Sequence, residues 1–205
     1  MPVPTIIFDF GGVLLRTEDR SPREQLAAHF GMTYEDLEAV VFGSKTAVQA
    51  SVGRLSADEH WQAVARQLGW PEEELPALQR AFWGGDELDE RLIDFLRSLR
   101  GTWRTALLSN AWDDLRPALH EVWHIGDAFD EIFISAEMGL VKPDPAIYAE
   151  VSRRLQSEGE DLLFVDDFLR NVTAARQAGW TAVQFQNAEQ AVQEVQTWLA
   201  SRPRG

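Results

Sequence analysis

Short apolar runs alternate with amphipathic stretches along most of the chain, and that alternation sets the expected architecture. Thr5-Ile6-Ile7-Phe8 is a β-rich apolar run that stops at Asp9 and then meets Gly11-Gly12, which predicts a buried strand entering a tight loop. Similar runs recur at Thr105–Leu108 before Ser109, at Glu131–Ile134 before Ser135, at Leu162–Val165 before Asp166, and at Thr181–Phe185. Between them, Leu92, Phe95, Leu96 and Leu99 share one helical face, as do Ala188, Ala191, Val192, Val195, Trp198 and Leu199. A strand and helix alternation of this kind predicts an α/β fold, a parallel sheet covered on both faces. Ligands of such folds bind beyond the carboxyl ends of the strands, where Asp9, Ser109 and Asp166 fall.

From Ser21 to Trp83 the alternation breaks, and only helical segments and loops are predicted. Ser56 and Glu59 form a capping box that opens a helix with Trp61, Val64, Ala65 and Leu68 on one side. Long structureless loops are rare in compact domains, so this insertion is expected to be an organised helical cap. The expected division is a catalytic core of residues 1–15 and 88–205 with a cap over 16–87.

Length and composition fit that picture: 205 residues suit one domain with an insertion, and 45% hydrophobic with 25% charged residues suits a packed core. Nineteen basic against 33 acidic side chains leave a formal charge of -14, which disfavours nucleic acid and anionic lipid surfaces as partners. Small anionic substrates stay open, because one metal ion and one lysine can invert the local field of a pocket. The absence of cysteine excludes a disulfide framework, a thiolate metal site and a cysteine nucleophile. With no basic leader before an apolar run and nowhere 18 apolar residues in succession, a cytoplasmic protein is expected. Nothing in the sequence points to an oligomeric state.

Four groups carry candidate chemistry, and each has a plain structural alternative. Asp9, at a strand end before glycines that admit close backbone approach, could attack phosphorus or hold a divalent cation, or simply make a turn. Asp166-Asp167 are adjacent carboxylates that repel unless compensated, and magnesium with its oxygen ligands would compensate them; they would also suit the start of the helix predicted over Arg170 to Ala178. Lys142, followed by Pro143 and Pro145, offers a held ammonium that could neutralise a phosphoryl group in transit, or is a solvated surface charge like most lysines. Ser109-Asn110 suits a phosphate oxygen or a helix cap.

Taken in order, Phe8-Asp9-Phe10-Gly11-Gly12-Val13-Leu14, Leu108-Ser109-Asn110, Lys142-Pro143 and Val165-Asp166-Asp167 with Asn171 resemble the four motifs of the haloacid dehalogenase-like hydrolases, over nearly the whole chain. The resemblance implies a Rossmann-like, three-layer α/β/α core with an all-helical cap after the first strand. It implies Asp9 as nucleophile, with Mg2+ held by Asp9, the Gly11 carbonyl and Asp167, and with Asp166 beside the metal. Ser109, Asn110 and Lys142 would hold the phosphoryl oxygens. The implied activity is hydrolysis of a small phosphorylated molecule, and the motif Asp-x-Gly-Gly-Val is similar to that of glucose-1-phosphatase-type members.

Gly11 departs from the common phosphatase pattern, in which a second aspartate two positions after the nucleophile protonates the leaving alcohol. Such acid-base help is worth about 100- to 10,000-fold in rate. Asp166, Asp113 and His60 are the candidate substitutes; a good leaving group or a substrate hydroxyl would serve as well. Lys45 and Arg54 on cap loops are candidate substrate contacts. Among the eight tryptophans, Trp83, Trp112 and Trp180 lie near strand ends or cap hinges, with Trp112 the first choice for stacking on a substrate. His120 and His124 have the spacing for a transition metal but no third ligand. Two other functions stay open: a 2-haloacid dehalogenase using Asp9 on carbon, and a catalytically weak ligand- or partner-binding protein.

Overall fold

Strands buried on both faces read as near-continuous apolar runs, and the segments Ile6–Phe8, Ala106–Leu108 and Leu162–Val165 of the observed sheet are apolar and fully buried. Residues 4–202 are described by a computed structural model of the chain. Its order is β1 (Thr5–Phe8), β2 (Leu15–Thr17), α1 (Ser21–His29), α2 (Tyr34–Phe42), α3 (Lys45–Ser51), α4 (Ala57–Leu68), α5 (Leu75–Trp83), β3 (Asp86–Leu88), α6 (Glu90–Leu99) and β4 (Arg104–Ser109). There follow α7 (Leu115–Glu121), β5 (Glu131–Ile134), α8 (Ser135–Met138), α9 (Pro145–Leu155), β6 (Leu162–Asp166), α10 (Leu169–Gln177), β7 (Thr181–Gln184) and α11 (Ala188–Ala200). The five apolar runs form one parallel sheet in the order β5-β4-β1-β6-β7, which is the expected α/β architecture.

Successive side chains of a strand point to opposite faces, and the core divides accordingly. Ile6, Phe8, Leu107, Leu163 and Val165 pack on one side with Leu92 and Leu96 of α6 and Val195 and Trp198 of α11. Ile7, Ala106, Leu108 and Phe164 pack on the other with Ile147, Tyr148 and Val151 of α9 and Val172 of α10. Three layers result. Central β1 pairs with β4 on one side and β6 on the other, so the carboxyl ends of all three strands lie together.

Helices α1 to α5 stand outside the sheet and enclose an apolar cluster of their own, including Leu26, Leu37, Val41, Trp61, Val64, Leu78 and Phe82. The Ser56–Glu59 capping box is present at α4, and a second one, Thr33 with Asp36, starts α2. A two-stranded antiparallel ribbon of β2 and β3, with Leu15 opposite Leu88, carries the chain out to these helices and back. Nothing in the hydrophobic pattern announced the ribbon, since its strands are three residues long and none of β2 is fully buried. Arg23 of α1 braces it: buried at 4% exposure, it donates to both Asp86 carboxylate oxygens at 2.8 Å and to Glu38 at 2.9 Å. A buried guanidinium is tolerable only with such partners. Among the described residues no helix is long and apolar enough to cross a membrane.

Candidate active site

The loop after β1 places Asp9 at the centre of the sheet's carboxyl edge, with its amide continuing the ladder to the Val165 carbonyl at 2.9 Å. The side chain is buried, and its Oδ1 accepts from the Phe10 amide at 2.7 Å and pairs with Lys142 Nζ at 2.8 Å. No hydrogen bond reaches Oδ2 from any described residue.

Lys142, itself buried, uses all three of its N–H groups: on Asp9 Oδ1, on Asp166 Oδ2 at 2.7 Å and on the Leu108 carbonyl at 3.0 Å. Its backbone is fixed as well. Asn110 donates to the Lys142 carbonyl and accepts from the Lys142 amide, both at 2.8 Å. Asp166, the last residue of β6, also accepts from Asn171 Nδ2 at 3.0 Å on each oxygen and from the Phe168 amide at 2.8 Å. Ser109 ends β4 and is buried.

Two carboxylates thus contact one ammonium and a third, Asp167, lies close to them, so the balance of charge is negative. Burial pushes the Asp9 carboxyl up to about 7, against the pull of Lys142 and with a further push from Asp166. Burial, then Asp166, also raises Asp167. A divalent cation fits this set of hard oxygen donors. Asp9, Asp166 and Asp167 each bring a carboxylate oxygen to within 4.8 Å of the others, and the Asp167 Oδ1 atom is buried with no hydrogen-bond partner. An orphaned buried carboxylate oxygen of this kind is costly unless a cation takes it up.

Gly12 is the floor beneath Asp167. Its φ is +80°, and a Cβ there would overlap the Asp167 carboxylate. Gly12→Ala is therefore expected to shift Asp167 and strain the loop, at about 1–3 kcal/mol for the backbone alone. A magnesium titration of activity checks this: the concentration for half-maximal rate should rise at least about tenfold. An unchanged titration would detach Asp167 from metal binding.

Residues 3–179 match the haloacid dehalogenase-like hydrolase family. The chain belongs to that family. Relatives of this hydrolase that carry phosphatase names include two that match most of its length. The sesquiterpene phosphatase astK of Aspergillus oryzae is 30% identical over 174 residues, covering 84% of this chain and 85% of its own. The D-ribitol-5-phosphate phosphatase of Bacteroides thetaiotaomicron is 27% identical over 207 residues, covering 97% of this chain and 100% of its own. A family enzyme from Bacteroides thetaiotaomicron, crystallised with magnesium and inorganic phosphate, superimposes with a TM-score of 0.74 at 21% identity, over 90% of this chain and 94% of its own. That likeness bears on the fold.

Several sequence candidates of this haloacid dehalogenase-like hydrolase end up elsewhere. Trp112 does not present a stacking face: it is buried in the cluster of α1 to α5, its ring centre 4.5 Å from His60. Trp180 is buried against Tyr148 and Phe164, with its N–H on Ser152 at 3.0 Å. Trp83 packs on Phe42, Trp61 and Phe82. Each of the three substitute acids makes at least one hydrogen bond. Asp166 is bonded on both oxygens, and Asp113 accepts from the Ala57 amide at 2.8 Å. His60 is buried with Nδ1 2.9 Å from Thr46, and burial pulls its pKa down.

Arg54 and Lys45 are exposed, the latter lining a cavity of about 470 Å³ among α2, α3 and α4 with Ala39, Thr46, Ala63 and Gln67, none of them a motif residue. His124 Nδ1 turns to the His120 carbonyl at 2.8 Å, and the two histidines join no metal-binding group among the described residues. Asn171, Gly12 and the Asn110 side chain act as supports, a role that residue spacing alone did not suggest.

Proposed function

We propose that the chain is a magnesium-dependent phosphatase of small phosphate monoesters, built as a Rossmann-like core of residues 1–15 and 88–205 with a helical cap over 16–87. The observation that carries the proposal is the buried cluster itself: Asp9 paired with Lys142 at 2.8 Å, with Asp166 and Asp167 oxygens within 4.8 Å. The phosphatase names of the two relatives support it, one of them acting on a sugar-alcohol phosphate by its name.

Asp9 is the nucleophile. Its Oδ2, free of hydrogen bonds from described residues, bonds to phosphorus as the bond from phosphorus to the leaving oxygen breaks; the leaving group departs with that electron pair and takes a proton from solvent. Water then attacks phosphorus, the bond to Asp9 breaks, and inorganic phosphate and the carboxylate are released. Lys142 holds Asp9 Oδ1 in place and lends its charge to the phosphoryl group, while Ser109 and the Asn110 amide take phosphoryl oxygens. Asp9, Asp167 and the Gly11 carbonyl would hold magnesium, with Asp166 beside it; when bound, the metal supplies positive charge that offsets the carboxylates and the phosphoryl oxygens.

Phosphate release from a panel of sugar, sugar-alcohol and prenyl phosphates tests this reading. Release is expected with magnesium and should vanish with a chelator, returning when the metal is restored. Halide release from 2-haloacids without magnesium would replace the proposal with dehalogenation. Magnesium binding with no turnover on any ester would leave a binding protein. Against dehalogenation stands the unpartnered Asp167 oxygen, because attack on carbon with halide departure needs no metal.

A further inference from the structure

The segment that joins β4 to α7 touches the lysine clamp at one end and the cap at the other. Asn110, its first residue, holds the Lys142 backbone through two hydrogen bonds of 2.8 Å. Ala111 is locked to Ser135 at the start of α8, its amide donating to Ser135 Oγ and its carbonyl accepting from it, both at 3.0 Å. Trp112 then leaves the core. It is 8% exposed among cap side chains, with ring centres of Trp61 and Phe42 at 6.1 and 6.2 Å in addition to His60. Asp113 follows with the bond to the Ala57 amide, the first residue of α4. That amide is one of the donors a helix leaves unsatisfied at its start, so the carboxylate of the core meets a need of the cap.

We propose that Trp112 and Asp113 are positioning residues which make the seating of the cap and the placement of Lys142 a single equilibrium. This rests on the phosphatase reading for its kinetic consequence but not for its geometry. Two covalent connections, β2 and β3, carry the cap, and Trp112 with Asp113 forms a third, noncovalent tether rooted two residues from the lysine clamp. Lifting the cap must then either draw the Trp112 indole out of its apolar cluster or pull Asn110 away from Lys142. A large indole leaving such a cluster is expensive, so the cap and the segment move together. The cap therefore reports to the nucleophile's own partner: Asn110 sets Lys142, and Lys142 sets Asp9 Oδ1.

Asp113→Ala and Trp112→Ala should each lower kcat by about 10- to 100-fold, the usual cost of a small misplacement of reacting groups. Inhibition by inorganic phosphate should weaken in parallel. Asp113 is exposed and Asp113→Asn keeps its shape and one acceptor oxygen, so that variant should retain most of the activity, as should Trp112→Phe. Asp58→Ala, which removes a first-turn acid of α4 and its Gln62 contact but no bond to the β4–α7 segment, serves as the control and should keep wild-type kcat, phosphate inhibition and Lys142 exchange. Hydrogen exchange at the Lys142 amide, the proton bound to Asn110, supplies a readout independent of turnover; it should quicken in Asp113→Ala and Trp112→Ala. Variants that melt at lower temperature but keep kcat, phosphate inhibition and Lys142 exchange unchanged would reduce the tether to ordinary packing and overturn the proposal. If the wild type hydrolyses no ester, the phosphatase reading falls, and the exchange measurement still decides the tether.

Discussion

Asp9→Asn should abolish phosphate release, by about four orders of magnitude or more, while leaving a folded protein that still binds magnesium weakly. The amide keeps an oxygen that can accept from Phe10 and Lys142, so the loop loses little, but it has no carboxylate with which to attack phosphorus. Stability should move the other way. Because burial lifts the folded-state pKa of Asp9 to about 7, above its ordinary 3.8, the folded metal-free chain holds this proton more tightly than the unfolded one. Ionising Asp9 therefore costs stability progressively from about pH 4 to pH 7, and the full cost stands above that window. Metal-free Asp9→Asn should melt above metal-free wild type at pH 8, with the gap closing toward pH 4. Steady-state kinetics and thermal melts at both pH values check the pair of expectations. Turnover within about tenfold of wild type would remove Asp9 as the nucleophile.

Lys142→Met should be nearly as damaging, for a different reason. Methionine fills the space but leaves Asp9 and Asp166 facing each other with no ammonium between them, and it leaves the Leu108 carbonyl without its donor. Breaking a buried ion pair by removing one partner costs about 3–5 kcal/mol, so a clear fall in melting temperature is expected. Loss of the fixed positive charge should lower kcat by about 100- to 1,000-fold. Arginine should not rescue it, since the Asn110 clamp fixes the backbone and a planar fork does not fit three acceptors arranged around a point charge. Added magnesium should recover part of the stability of Lys142→Met, because it neutralises the same carboxylates. A variant as stable and active as wild type would contradict the electrostatic role assigned to Lys142.

The strand ends were legible in one dimension because each buried strand is an apolar run broken by one polar residue, and a run such as Leu162–Val165 before Asp166 has few other meanings. The order of Asp9, Ser109, Lys142 and Asp166 along an alternating chain then told where those residues would gather. What holds them was not legible. Asn110 is expected to offer its backbone amide to phosphate, but position alone does not show that its side chain spends both its polar ends on the Lys142 backbone. Trp112 misled in the opposite sense: two residues from Asn110 it belonged on paper to the catalytic edge, but its side chain crosses into another layer. A hydrophobic pattern records which residues are buried and cannot record by what. The same limit hid the ribbon of β2 and β3, too short to show a period, and the role of Gly12, which depends on a carboxylate far away in sequence.

The place of β1 in the sheet has a consequence for the life history of the protein. It is the first strand in sequence and the central one in space, flanked by β4 and β6, whose residues come much later in the chain. Contacts of such long sequence separation form slowly, since the loops they close carry a large entropic cost. A chain emerging from the ribosome thus carries Asp9, the proposed nucleophile, exposed until the strand bearing Asp166 has been made and has docked. Recovered activity in a refolding experiment should accordingly trail the recovery of helical signal, and it marks the moment when the last of the central strands has closed around Asp9.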